Sequence, residues 1–345
     1  MKKKKGIMLE TSKKIPVVYL QRKPRNVGNY SVEFIFEDVR RRLAGKITAR
    51  LVESKFESKG VFKRLFNAIE ARLKSGAVNH ITGDVNYLAI FLNRKRTIST
   101  VLDCVQMEHS TGLKYKFYKY FWLVFPERHS KYITAISEAT KKEILRHHPC
   151  DPSKIKVIPV AISSRFQYKP SVFNTAMPRI LQVGAAPNKN IPRLIAALEG
   201  IPCVLNIVGK VNEEYVTMCK EKKVELIYES GLSDAEVLLR YEMADIISLV
   251  STYEGFGMPI LEAQAVGRVV ISANVYSMPE VAGDSAILVD PTDVGAIRDG
   301  IMRLITDADL RSNRISAGLE NIKRFDPDYI AGLYYELYMD AYNNA

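Results

Sequence analysis

Short apolar runs alternate with amphipathic segments along most of this chain of 345 residues. An apolar run at residues 15–20 predicts a buried strand, and residues 31–43 carry apolar side chains at helical spacing. The same alternation resumes with the run at residues 179–183. Repeated strand–helix units predict parallel sheets with helices on both faces. We therefore expect an α/β fold with two doubly wound, Rossmann-like domains that face a central cleft.

The remaining elements follow the same rules of spacing and capping. Ser233 precedes Glu236 by three positions, which is a capping box and predicts the start of a helix. Further strands are predicted near residues 47–52, 77–81, 97–102, 132–135, 204–208, 225–228, 246–250, 269–272 and 286–289, with helices near 61–73 and 87–92.

A stretch without periodicity at residues 163–178 separates the two series of elements. Its serines and prolines are turn residues, as expected of a linker. We place an N-terminal domain at residues 1–168 and a C-terminal domain at residues 169–325. The tyrosine-rich amphipathic segment at residues 326–345 predicts a final helix that packs back toward the N-terminal domain.

The net charge of +12 is distributed unevenly between the two halves. Residues 1–175 carry 35 Lys/Arg and 14 Asp/Glu, or +21, and residues 176–345 carry 15 and 24, or −9. A basic half suits anionic lipid, a phosphorylated acceptor or nucleic acid, and a merely solvated basic surface is the alternative. Because no nucleic-acid module signature is present, nucleic acid is not expected as a partner.

The cysteines and apolar runs bear on the cellular compartment. Four scattered cysteines without a CxxC pair are typical of reduced thiols, and no apolar run approaches the roughly 20 residues of a membrane span. We expect a cytoplasmic protein, with peripheral contact to an anionic membrane at its inner face as a further hypothesis. The aromatic residues of segment 114–125, interleaved with lysines, fit either a core helix or an interfacial segment.

The richest local signal is the glycine turn between an apolar strand and a helix start in the C-terminal half. Gly255 and Gly257 flank Phe256, and Pro259 suits the first turn of a helix. The N-terminus of that helix would favour an anion. The carboxylates Glu254 and Glu262 bracket the turn, which makes a sugar hydroxyl and a ribose diol plausible partners for them.

Other polar residues follow predicted strands and should share the cleft. Lys189 lies in a loop that opens with Gly184, and Lys210 follows another strand, so two lysines would converge on a diphosphate. The DxD triplets at 307–309 and 326–328 have the appearance of cap residues, and no metal site is predicted. In the N-terminal half, the residues after strands are Gly28, Asn29, His80 and Asp103.

The stretch from about Gly231 to Asp290 resembles the GT4 family of retaining glycosyltransferases, which have the GT-B fold. The spacing of Glu254 and Glu262 matches the family's E-x7-E motif, and residues 277–283 continue the match. Gly184 with Lys189 resembles its phosphate-binding loop. His80, Asp103 and the segment 137–140 carry a looser likeness in the N-terminal half.

The resemblance implies a role for each matching residue. Glu254 would lie beside the transferred sugar, Glu262 would bind the ribose, and Lys189 with Lys210 would neutralise the diphosphate. It also implies an N-terminal acceptor domain, a C-terminal donor domain and retention of anomeric configuration without a divalent metal or cofactor. The catalytic residues expected are Glu254, Lys189 and Asp103. The residues expected to bind the donor are Gly184, Lys189, Lys210, Glu254, Gly255, Phe256, Gly257, Met258, Leu261 and Glu262. The residues expected on the acceptor side are Gly28, Asn29, His80 and His109.

The partners implied are a nucleotide-sugar donor, with a UDP, GDP or ADP group left open, and a saccharide or lipid-linked acceptor in surface glycoconjugate synthesis.

Two positions depart from the family pattern. Asn188 stands where many members have arginine, and Leu102 stands where many have histidine before Asp103. A non-catalytic protein that binds sugar nucleotides or partners is therefore the alternative hypothesis.

Overall fold

The structure, a computed structural model, describes residues 14–23 and 31–344. It contains two six-stranded sheets in which all neighbouring strands run parallel, which confirms the α/β fold with two doubly wound domains. The first sheet comprises β1 (Ile15–Gln21), β2 (Ile47–Glu53), β3 (Val78–Ile81), β4 (Thr97–Val101), β5 (Tyr132–Ala135) and β6 (Ile155–Val157), and the second comprises β7 (Arg179–Val183), β8 (Val204–Val208), β9 (Glu225–Glu229), β10 (Ile246–Leu249), β11 (Val269–Ala273) and β12 (Ala286–Val289).

Helices cover both faces of each sheet, as the crossover connections of parallel strands require. The α-helices are α1 (Ser31–Arg42), α2 (Val61–Leu73), α3 (Val105–Glu108), α4 (Gly112–Tyr118), α5 (Phe125–His129), α6 (Glu138–His147), α7 (Ile191–Leu198), α8 (Glu213–Glu221), α9 (Asp234–Met243), α10 (Met258–Val266), α11 (Met278–Ala282), α12 (Val294–Thr306), α13 (Ala308–Asn321) and α14 (Pro327–Asn343). Among the described residues, none of the helices is long and apolar enough to cross a membrane.

The strand order of the second sheet determines where a ligand can bind. The order is β12-β11-β10-β7-β8-β9, so the direction of winding reverses between β7 and β10. Strands β7 and β10 pair directly, with Gln182 opposite Ser248. Ligands of doubly wound sheets bind in the crevice beyond the carboxyl ends of two such strands. The loop after Val183 and the turn after Leu249 therefore open into the same crevice.

Local signals in the sequence predicted several helix starts correctly. The Ser233 hydroxyl accepts a hydrogen bond from the Glu236 amide, and the Glu236 carboxylate accepts one from the Ser233 amide, so the capping box is present. Asp307 and Asp326 cap α13 and α14 through their carboxylates. The predicted helix near 87–92 is instead a 3₁₀ helix at Asn86–Phe91.

The lysine- and aromatic-rich segment forms a helix that contains a π-helical stretch, Lys119–Val124, between α4 and α5. Leu123 and Val124 are buried, whereas Tyr120 is exposed. The Arg64 guanidinium of α2 lies 5.5 Å from the ring centre of Trp122. The segment is therefore partly core, and its Phe117 and Trp122 rings lie beside Arg64 of α2.

The last helix, α14, belongs to the core of the N-terminal domain. Tyr334 and Tyr338 are fully buried among side chains of the first sheet. The Tyr338 hydroxyl lies 2.7 Å from His80 Nδ1, and Thr100 Oγ1 lies 2.8 Å from His80 Nε2. His80 is itself completely buried, so its predicted place on the acceptor side is wrong. It follows a strand in sequence, but α14 covers the sheet face on which it lies.

We expect His80 to make stability sensitive to acid. Burial, with a smaller contribution from the charge of Arg40, lowers its pKa to about 3, against an ordinary value of 6.5. Between these two pH values the unfolded chain binds a proton that the folded protein does not, so stability falls as pH falls. From pH 7 to pH 5 this one group should remove ~2 kcal/mol from the free energy of unfolding.

Urea unfolding at both pH values would measure this effect. His80→Gln should lose less stability on acidification than the wild type. The difference should equal the ~2 kcal/mol attributed to His80. His109→Gln is the matched control, because His109 is exposed and should leave the pH dependence unchanged. Equal losses in the wild type and in His80→Gln would contradict the prediction.

Candidate active site

Lys189 and Glu254 meet where the two central strands of the second sheet end. Lys189 Nζ lies 2.6 Å from Glu254 Oε1, and the two side chains are only 16% and 14% exposed. Gly184 makes this approach feasible, because it has a φ of +86° and a Cβ there would lie 2.9 Å from Lys189 Cε. The predicted loop lysine and strand-end glutamate thus form one ion pair in the crevice.

Asn188 ties the loop after β7 to the strand end after β10. Its carbonyl oxygen accepts a hydrogen bond of 2.8 Å from the Thr252 amide, and its Nδ2 donates one of 2.9 Å to the Tyr253 carbonyl. The next residue, Asn190, donates from Nδ2 to the carbonyls of Val250 and Pro291. Asparagine at position 188 therefore holds the loop in place and does not present a charge to a ligand.

The glycine turn has the form that its sequence predicts. Gly257 has a φ of +102° and precedes α10, which begins at Met258 with Pro259 in its first turn. The Ser277 hydroxyl lies 3.0 Å from the Glu254 carbonyl and 2.9 Å from the Phe256 carbonyl and can donate to either. The amides at the start of α10 face the crevice end of the sheet, which is the position expected of an anion site.

Glu262 lies on the second turn of α10 and is oriented by Tyr241. The Tyr241 hydroxyl donates a hydrogen bond to Glu262 Oε2, and Tyr241 is completely buried. Burial raises the pKa of Glu262, while the hydrogen bond from Tyr241 and the charges of Arg165 and Lys189 oppose that rise. Tyr241 was not among the predicted site residues, because a tyrosine on the preceding helix carries no local sign of pointing at a carboxylate.

Asp103 faces the glycine turn from the end of β4 in the N-terminal domain. Its Oδ1 accepts a hydrogen bond of 3.1 Å from the Val105 amide, and its side chain remains open to solvent in the cleft. The surrounding walls of the cleft partly desolvate Asp103 and raise its pKa, the hydrogen bond from the Val105 amide lowers it, and the negative charges of Asp84 and Glu254 raise it further. This end of the cleft is therefore acidic, and it would favour a group that gains positive charge.

Several hydrogen bonds join the two domains directly around the turn. The Cys104 amide donates to the Tyr253 hydroxyl at 3.0 Å, and the hydroxyls of Ser137 and Thr140 each lie 3.2 Å from the Gly255 carbonyl. These contacts hold the N-terminal end of α6 against the glycine turn.

Glu280 of α11 adds a second contact between the same elements. Its carboxylate oxygens accept hydrogen bonds from the amides of Glu138 and Ala139, at 2.9 and 3.2 Å. A carboxylate from one domain thus caps a helix of the other. The contact stabilises the negative charge of Glu280 and satisfies amides at the start of α6 that have no partner within the helix. No pattern in the sequence predicted this contact.

The structure places the remaining predicted site residues in different surroundings. Leu261 is fully buried in the core, which corrects its assignment to the donor site, and Phe256 packs against Phe325 and can offer only its backbone. Lys210 and His109 are exposed at the surface. Gly28 and Asn29 fall outside the described residues, so that part of the predicted acceptor side stays a prediction.

One group among the described residues has the donor atoms of a metal site, and it consists of Glu108, Glu143 and His147. The Arg146 guanidinium contacts both carboxylates, and His147 Nδ1 lies 3.2 Å from the Tyr115 hydroxyl. The protein's own cation therefore occupies this cluster, which lies on the α3 and α6 side of the N-terminal domain.

Comparison with known proteins gives a family match for the C-terminal domain, which contains the crevice. Residues 164–320 match the sequence model of the family described as glycosyl transferases group 1. This region belongs to the glycosyl transferases group 1 family. The group 1 region contains the loop lysine, the glycine turn and both glutamates, so the resemblance inferred from the motif is confirmed at this level, while the narrower GT4 assignment stays a prediction.

Curated relatives of the group 1 region include bacterial mannosyltransferases. The chain is 27% identical over 221 residues to the O-antigen chain mannosyltransferase B of Escherichia coli, covering 57% of each chain. It is 27% identical to the MMP alpha-(1->4)-mannosyltransferase of Mycolicibacterium hassiacum over 50% of this chain and 45% of that protein. The match thus spans about half the length of these relatives.

Solved structures match the whole fold. A glycosyltransferase from Rickettsia africae has a TM-score of 0.75 at 18% identity, covering 96% of this chain and all of that one. Sucrose-phosphate synthase from Thermosynechococcus elongatus has a TM-score of 0.78 at 15% identity, with the same coverage. These neighbours confirm the GT-B fold for the chain.

Proposed function

We propose that the protein is a retaining glycosyltransferase that moves a sugar from a nucleotide-diphosphate sugar to a saccharide or lipid-linked acceptor. The observation that carries the proposal is the Lys189–Glu254 pair at the point where the second sheet reverses its winding, beside the N-terminus of α10. A cation, a carboxylate and free helix amides at one crevice fit a sugar diphosphate better than an uncharged ligand.

The donor would lie along the group 1 crevice. Glu262, held by Tyr241, would accept hydrogen bonds from the ribose hydroxyls. Lys189, Lys210 and the α10 amides would neutralise the diphosphate. Because these groups supply fixed positive charge to the leaving group, we propose that the transfer proceeds without a divalent metal.

The sugar would lie between the carboxylates of Glu254 and Asp103. In the transfer the bond from the anomeric carbon to the diphosphate breaks, a bond to the acceptor oxygen forms on the same face, and the acceptor proton leaves with the diphosphate. The two carboxylates would stabilise the positive charge that develops on the sugar ring. Lys189 would exchange its contact with Glu254 for the diphosphate when the donor binds.

The relatives supply candidates for the substrates. Two of them are named as O-antigen chain mannosyltransferases, which supports surface polysaccharide synthesis and makes mannose the first sugar to test. The experiment is incubation of the purified protein with UDP-, GDP- and ADP-sugars and measurement of nucleoside diphosphate release, with lipid and saccharide acceptors added. Binding of donors without release from any of them would overturn the proposal in favour of a non-catalytic sugar-nucleotide-binding protein.

Glu262→Ala is expected to weaken binding of the nucleoside diphosphate by about 10- to 100-fold, because hydrogen bonds to a charged partner contribute about 1.5–3 kcal/mol each. Isothermal titration calorimetry measures this directly. Glu320→Ala is the matched control, since Glu320 is an exposed helical glutamate that pairs with Lys323. Unchanged affinity in Glu262→Ala would show that this carboxylate does not hold the ribose.

A further inference from the structure

Helix α2 of the N-terminal domain exposes its large apolar side chains, whereas a surface helix usually buries its apolar face against the core. Its small and polar residues Asn67, Ala68 and Ala71 are the ones that it buries against the domain. Its large apolar side chains point to solvent instead. They are Val61 (67% exposed), Phe62 (88%), Leu65 (45%), Phe66 (44%), Ile69 (47%) and Leu73 (81%).

The exposed apolar residues form one continuous stripe. Phe62, Phe66, Ile69 and Leu73 are spaced by four, three and four positions, which places them on one line of an α-helix. Ala71 and the other buried residues lie on the opposite side of the helix. A stripe about 17 Å long, at 1.5 Å per residue, is too large to be scattered surface apolarity.

Positive charges border the stripe on both sides. Lys63 and Arg72 are exposed and lie on opposite flanks of the line that runs through Phe62 and Leu73. Lys55 Nζ lies 5.5 Å from the Phe66 ring centre. From residue 50 to residue 74 the chain carries seven Lys/Arg and three Asp/Glu.

Two of these three acidic residues are already neutralised by neighbours. Glu70 Oε1 lies 2.8 Å from Lys74 Nζ, and Glu57 Oε2 lies 2.8 Å from Lys59 Nζ. The net charge around the stripe is therefore positive, in keeping with the charge of the whole N-terminal half.

We propose that α2 is an interfacial helix that lies in the surface of an anionic lipid bilayer. The apolar stripe would enter the boundary between headgroups and acyl chains, and the flanking lysine and arginine side chains would contact the anionic headgroups. A second copy of the chain fits less well, because a symmetric pair of stripes would bring the same positive flanks together. The inference does not rest on the proposed function.

Co-sedimentation with lipid vesicles tests the proposal. The wild-type protein is expected to pellet with vesicles of phosphatidylcholine and phosphatidylglycerol, and less with vesicles of phosphatidylcholine alone. The double variant Phe62→Ser/Leu73→Ser is expected to bind the anionic vesicles at least about tenfold more weakly. Since both side chains are more than 80% exposed, the variant should keep its fold and its affinity for nucleoside diphosphates.

A control and a charge variant separate the two contributions. Val172→Ser removes an apolar side chain that is 94% exposed outside α2, and it should pellet like the wild type. Lys63→Gln/Arg72→Gln should lower binding to anionic vesicles by about fivefold for each charge removed. Binding to phosphatidylcholine alone should stay unchanged in that variant.

Three results would overturn the proposal. The first is a wild-type protein that stays in the supernatant with anionic vesicles at low salt. The second is a double variant that pellets as well as the wild type. The third is a wild-type dimer in size-exclusion chromatography that Phe62→Ser/Leu73→Ser converts to a monomer, which would assign the stripe to self-association.

Discussion

Glu254→Gln is expected to lower the turnover number by about 100- to 1,000-fold, the range found when one preorganised electrostatic group is removed from an active site. The substitution keeps the size of the side chain and removes its charge. The affinity for nucleoside diphosphate should stay the same or increase, because Lys189 would lose the carboxylate that lies 2.6 Å away and become free for the diphosphate.

A lower turnover number without a lower affinity distinguishes stabilisation of the transition state by Glu254 from binding of the donor by Glu254. The turnover number comes from nucleoside diphosphate release at saturating donor, and the affinity comes from calorimetry. Glu242→Gln is the matched control, because Glu242 pairs with Lys169 at 2.5 Å on the surface. A loss of affinity as large as the loss of rate would place Glu254 in donor binding, and an unchanged rate would remove it from the active site.

Gly255→Ala is expected to lower kcat/KM by about 100-fold, since a displacement near 1 Å at a reacting site has an effect of this order. The added methyl group would lie 2.7 Å from the Leu102 carbonyl oxygen and 3.0 Å from Asp103 Cβ. Both are atoms of the other domain that cannot rotate away, so the domains would have to separate. The contacts of Ser137 and Thr140 with the Gly255 carbonyl would weaken as a result.

The backbone of Gly255 does not itself require glycine, because its φ lies outside the left-handed region. The stability of the C-terminal domain and its affinity for nucleoside diphosphate should therefore remain those of the wild type. Gly332→Ala is the control, since a Cβ at Gly332 meets no atom within 4 Å. Full activity in Gly255→Ala would show that the contact between the turn and β4 is not needed in the reaction.

The sequence predicted correctly that the loop after β7 and the glycine turn meet at one edge of the second sheet, because the signals for both segments are local. A glycine turn, a proline in the first helical turn and a lysine after a strand each report on a few neighbouring residues. Once both segments are placed at strand ends, the parallel sheet brings them to one edge. Lys189 and Glu254 were therefore both found, although their direct pairing was not predicted.

The sequence was less informative about the N-terminal half of the site. His80 was placed at a strand end, yet its ring is enclosed by Tyr338, which lies 258 positions away in the chain. Leu261 was placed in the donor site because it lies in the motif, but it points into the core. A strand or helix pattern gives the spacing of side chains and does not tell which neighbour will cover each face.

By itself, the sequence determined the α/β class, the glycine turn, the capping residues and the positions of Glu254 and Glu262 on either side of the turn, since hydrogen bonds within a few residues decide these features. Only the tertiary structure decided the pairing of Lys189 with Glu254, the capping of α6 by Glu280 and the outward direction of the apolar stripe on α2. These features depend on contacts between segments far apart in the chain. The free energy of these contacts comes from desolvation and from the close approach of the groups, and no local sequence pattern reports either of them.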